Sequence, residues 1–120
     1  MGYYTKFELH AVDAETGSPI TMMEESIIAK RLWQLVGGSD RYTPKCIENC
    51  LDKEMKWYGH EMDMTALSKE FPNILFVLDG VGEEFPDAWR KWFYNGAVEA
   101  SYAEVVYPKP ENPLFARYNF

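Results

Sequence analysis

Ile74-Leu75-Phe76-Val77-Leu78-Asp79-Gly80-Val81-Gly82-Glu83-Glu84-Phe85-Pro86-Asp87 is the stretch on which the fold turns. Its first five residues are a continuous β-prone run too short for a helix, so Asn73 to Leu78 reads as a buried strand. Asp79 to Asp87 then brings two glycines and four carboxylates. A phosphate-cradling loop would have to open a helix, because backbone N–H groups and a helix N-terminus face the anion. Here Ala88 to Tyr94 is strand-like, and Asn95-Gly96 after it is a strong hairpin signal. No Lys-Ser/Thr pair follows Gly82, and Asp79, Glu83, Glu84 and Asp87 would repel a phosphate. The segment therefore reads as the connection between two strands, with Gly80 and Gly82 shaping the turn.

Working outward, Tyr3 to Val12 alternates as a strand, with Tyr3, Thr5, Phe7, Leu9 and Ala11 on one face and Tyr4, Lys6, Glu8 and His10 on the other. Asp13 to Pro19 has turn chemistry, and Thr21-Met22-Met23-Glu24 is a capping box that starts a helix. In that helix Met23, Ile27, Ile28, Leu32, Leu35 and Val36 recur at three-to-four spacing, and Gly37-Gly38 supplies the stop. Ser39 to Lys45 reads as loop, and Cys46 to Met55 as either a short helix or an irregular lead-in. Met55 to Tyr58 is a short strand, and His60 to Phe71 a second helix with Met64, Leu67 and Phe71 on its apolar face, ended by Pro72. The hairpin closes with a strand over Ala97 to Tyr107. The order β-α-β-α-β-β-β fits an α+β, ferredoxin-like two-layer sandwich: a largely antiparallel sheet with two helices on one face. Residues 1–107 form this single domain, and residues 108–120 an extended tail with three prolines. Leu114, Phe115, Tyr118 and Phe120 of the tail are to pack on the chain's own sheet or on a second copy, giving a homodimer through the tail.

A 120-residue chain that is 47% hydrophobic and 16% aromatic can bury a ring-rich core without disulfides or metal, despite a net charge of −7. No apolar run is long enough to span a bilayer and the N-terminus lacks a signal-peptide stretch, so a cytoplasmic protein with no membrane partner is expected. Cys46 and Cys50 stand four apart, half of a zinc site, but the other half would need both His10 and His60. Structural free thiols are the better reading, and neither a metal nor a cofactor is expected. Asp79 to Asp87 also misses the ligand alternation of a calcium loop.

Trp89-Arg90-Lys91-Trp92-Phe93-Tyr94 interleaves rings and cations, as sheets that bind single-stranded nucleic acid do. Alternation leaves only two rings and one cation on the exposed face, and with a sequence pI near 4.8 nucleic-acid binding is disfavoured. The charge layout says more. From Glu48 to Asp87 there are ten acids and three bases, a balance of −7 equal to the whole net charge. Such an asymmetric field steers association with a basic partner. No Ser-His-Asp or Cys-His set can be assembled, and His60 reads as a helix-start residue rather than a base.

W-Y-G-H-E-M-D-M, from Trp57, is followed by a helix ending F-P, a strand, G-V-G-E-E and the hairpin to Asn95-Gly96. With the N-terminal Tyr3-Tyr4-Thr5, this order resembles a pattern in small uncharacterised proteins of tailed bacteriophages and mobile elements, covering residues 2–8 and 57–96. A looser similarity is to plasmid proteins with a ferredoxin-like domain. The resemblance implies a fold and a phage setting, and no catalytic residues. The resulting expectation is a non-catalytic phage-type accessory protein in the host cytoplasm. It would bind a basic host protein through Glu61, Asp63, Asp79, Glu83, Glu84, Asp87 and Trp92, inhibiting a defence or nucleic-acid-handling enzyme. The alternative is a small metal- or ligand-binding enzyme that uses the Asp79–Asp87 loop with His60 and Glu61.

Overall fold

A computed structural model describes residues 3–35, 54–55 and 57–117. The chain is α+β, with strands β1 (Thr5–Asp13), β2 (Glu54–Met55), β3 (Ile74–Gly82), β4 (Ala88–Tyr94) and β5 (Ala97–Tyr102) and helices α1 (Met22–Leu35) and α2 (His60–Glu70). The sheet order is β2-β1-β3-β4-β5. Every neighbouring pair is antiparallel. A ferredoxin-like domain is assembled from split βαβ units, in which another strand lies between the two parallel ones, so its sheet too is antiparallel. The α+β class and the antiparallel sheet with two helices are as expected, and the ferredoxin-like order is not confirmed: β3, β4 and β5 form a meander, and β1 lies between β2 and β3, antiparallel to both.

The local chemistry accounts for most elements. Thr21 and Glu24 exchange reciprocal bonds, Glu24 N–H to Thr21 Oγ1 at 3.1 Å and Thr21 N–H to Glu24 Oε1 at 3.0 Å, so two orphan donors at the start of α1 are satisfied. At the β4–β5 turn Asn95 has φ 46° and Gly96 φ 85°, the left-handed pair that a tight two-residue hairpin demands. Phe7, Leu9 and Ala11 of β1, Ile74, Phe76 and Leu78 of β3 and Phe93 of β4 face the helices. They are buried with Ile20, Ile28, Leu32, Trp57, Met64 and Leu67 in one core. Among the described residues the helices cover one face only.

Four expectations change. β3 does not stop at Leu78 but runs to Gly82, so Asp79 and the glycines are strand and the turn shrinks to Glu83–Asp87. Gly80 is not a turn residue: it lies opposite Trp89 in the register, and any Cβ there would overlap the Trp89 ring. A Cβ at Gly82 would likewise meet Tyr3 Oη and the Asp87 carboxylate. In α1, Met23 and Ile27 are exposed, and the stripe that joins the core is the narrower one of Ile28, Ala29, Leu32 and Leu35. β5 ends at Tyr102 rather than Tyr107, and every described residue from Ala97 onward is exposed, Val105, Val106, Tyr107, Leu114 and Phe115 among them. The tail thus does not pack on its own sheet over its described length. Gly37-Gly38, Cys46, Cys50, the 39–53 segment and Tyr118 to Phe120 lie outside the described residues.

Candidate functional site

The start of α2 carries the most concentrated chemistry. Trp57, buried against Phe7, donates its indole N–H to Asp63 Oδ2 at 2.8 Å. Its carbonyl oxygen is 2.9 Å from His60 Nδ1. A carbonyl can only accept, so Nδ1 carries the proton and Nε2 presents a lone pair. That lone pair accepts from Lys91 Nζ at 2.9 Å, and Lys91 also donates to Glu61 Oε2 at 2.9 Å. The His60 ring stacks on Trp89 at 4.7 Å, and the Lys91 ammonium lies 4.7 Å from the Trp89 ring centre.

The electrostatics follow from burial. Lys91 is 7% exposed, yet its ammonium has a carboxylate, an imidazole and a ring face around it. Burial first, and then the Lys91 charge, hold the His60 imidazole below its ordinary pKa, which keeps it neutral. The hydrogen bond from Lys91 lowers the Glu61 carboxyl. Lower along α2, Ser68 Oγ donates to Thr65 C=O and accepts from Gly96 N–H at 2.9 Å, tying the hairpin turn to the helix. These bonds lock α2 onto the sheet, and each partner of Lys91 is spoken for within the chain.

Among the described residues the opposite face of the sheet has no helix over it. There Leu75, Val77, Trp92 and Tyr94 form an apolar stripe, beside Glu8, His10, Asp79, Arg90 and Glu99 in the cross-strand register. Arg90 grips Asp79 with two bonds, Nε to Oδ1 at 2.6 Å and the terminal nitrogen to Oδ2 at 2.9 Å. Glu8, His10 and Asp79 bring ligand atoms within 4.8 Å of one another. Both Asp79 oxygens are already held by Arg90, so this trio is an ion-pair row rather than a vacant cation cage. A shallow depression of about 710 Å³ runs along β4 and β5, lined on this face by Leu75, Trp92, Tyr94, Glu99 and Ser101.

The contact residues expected from the sequence fall in three places. Glu61 and Asp63 are on α2, engaged with Lys91 and Trp57. Asp79 and Trp92 are on the uncovered face. Glu83, Glu84 and Asp87 are at the β3–β4 turn, where Tyr3 Oη donates to Asp87 at 2.5 Å and accepts from Glu84 N–H, while Glu83 accepts from Tyr4 N–H. Of the seven acids from Glu61 to Asp87, six accept a hydrogen bond from within the chain, Glu70 from Arg31 among them. The alternative ligand site is not assembled, since Asp79 lies on the open face and His60 on the helix side. The zinc reading loses its basis for the same reason, with His10 and His60 on opposite faces. Sequence reasoning missed Lys91, whose only signal was a cation at an inward-facing strand position. No protein-family model, curated protein or solved structure matches the chain.

Proposed function

We propose that the chain is a non-catalytic accessory protein that binds a basic partner protein through the uncovered face of its sheet. The observation that carries this reading is the ring-bearing stripe of Leu75, Val77, Trp92 and Tyr94, with no covering element among the described residues and acids along its border. An apolar patch rimmed by charge is the anatomy of a protein contact, and Trp and Tyr are the side chains that most often anchor one. The helix side supports the same reading: its titratable cluster is used up in holding α2, with no group left to attack or protonate a substrate.

Compared with the expectation from the sequence, the contact surface moves from the acidic third as a whole to the open face, with Asp79 and Trp92 retained. The acids at the Glu83–Asp87 turn and the chain's net charge of −7 act at longer range, favouring encounter with a basic protein. The resemblance supplies the phage setting, and the concentrated acidity suggests the target: inhibition of a host defence or nucleic-acid-handling enzyme by occupying its basic surface. Affinity capture from a host lysate at two salt concentrations tests the binding: a partner held at low salt and weakened at high salt is expected. A folded protein that captures nothing at low salt contradicts it.

A further inference from the structure

We propose that a second copy of this chain pairs with the free edge of β5, joining two sheets into one across a two-fold axis at Ala100. This inference is independent of the open-face reading. Tyr94 and Ala97 flank the two-residue turn, and Ala103 N–H donates to Ala88 C=O at 2.8 Å, so the odd-numbered residues of β5 bond to β4. The N–H and C=O groups of Val98, Ala100 and Tyr102 therefore point away from the sheet, unpaired among the described residues. All six residues of β5 are exposed. The strand A-V-E-A-S-Y holds no proline, no lysine and no bulge, the usual means of blunting an edge.

One register satisfies all of these groups. Centred on Ala100, it sets Ala100 against its own copy, Val98 against Tyr102 of the second copy, and Glu99 against Ser101. The outward N–H and C=O groups of Val98, Ala100 and Tyr102 then find partners, and Val98 with Tyr102 makes a β-branched–aromatic pair. Centring on Glu99 instead would set two carboxylates directly opposite. The same register carries Glu104 of one copy beside Gly96 of the other, on the helix side, where the Lys69 stem already lies against Gly96. Neither Lys69 nor Glu104 has an ion-pair partner among the described residues, so the edge is complementary in charge as well as in backbone groups.

Light scattering on the full chain, with variants, decides it. The wild type is expected at twice the 14.0 kDa chain mass. Ala100→Pro removes the central outward N–H without touching a bond to β4, and is expected to give the monomer mass with an unchanged circular dichroism spectrum. Lys69→Glu should weaken the dimer by about fivefold, and adding Glu104→Lys should restore it. A monomer at every concentration overturns the proposal. So does a dimer that folded Ala100→Pro leaves intact, or, if that variant fails to fold, a dimer indifferent to Lys69→Glu.

Discussion

Lys91 Nζ lies 2.9 Å from both His60 Nε2 and Glu61 Oε2, a buried ammonium that joins the middle of β4 to the first turn of α2. Its role as a clamp between helix and sheet sets the first two predictions.

Truncating the clamp strands its partners. Lys91→Ala removes two hydrogen bonds and the stem packed on Trp89, and should cost about 2–4 kcal/mol. Lys91→Met keeps most of the stem and should cost clearly less. Urea unfolding of both variants beside the wild type checks the order.

Acid should loosen the same joint. The folded-state pKa of His60 lies below its ordinary 6.5, so the unfolded chain takes up its proton first as pH falls. The stability is full above about pH 6.5 and drains as pH drops from there through the folded-state pKa. Glu61, also lowered, adds loss in the same direction below about pH 4.5, weakened because its side chain is half exposed. Unfolding free energies measured at a series of pH values should show this slope, and His60→Gln should flatten its upper part.

Gly80 and Trp89 form one cross-strand unit. Gly80→Val drives a side chain into the Trp89 ring and should cost about 1–3 kcal/mol. Trp89→Ala empties that space, so adding Gly80→Val to it should cost less than in the wild type. A double-mutant cycle by thermal unfolding reads the coupling.

The hairpin turn gives a smaller effect. Gly96→Ala places a Cβ at φ 85°, against the Lys69 stem, and should cost about 1–2 kcal/mol. Thermal unfolding measures it, with Lys69→Ala relieving the contact but not the backbone strain.

Much of this architecture is local chemistry and was open to reading from the chain. The capping box at Thr21, the Asn95-Gly96 turn and the alternation of Phe7, Leu9 and Ala11 each depend on neighbours within a few residues. What escaped depends on partners far along the chain. Gly80 looks like a turn glycine until the register sets Trp89 against it. Lys91 reads as a strand cation until α2 brings His60 and Glu61 to it, about thirty residues away in sequence. Periodicity draws the stripe on α1 too wide because it marks which residues share a side, not how far the core reaches across them. The pattern makes β5 too long because apolar residues continue through Val105, Val106 and Tyr107, where no strand among the described residues pairs with them. The acids of the Glu61–Asp87 stretch resemble one surface in a list, and only their hydrogen bonds separate them into three.

The central claim is that a partner docks on the uncovered sheet face. Capture from lysate with Trp92→Ser/Tyr94→Ser beside Glu83→Gln/Glu84→Gln, both confirmed folded, tests it most directly. Loss of the captured protein with the first pair and retention with the second is the expected result. Retention with the first pair and loss with the second would contradict it.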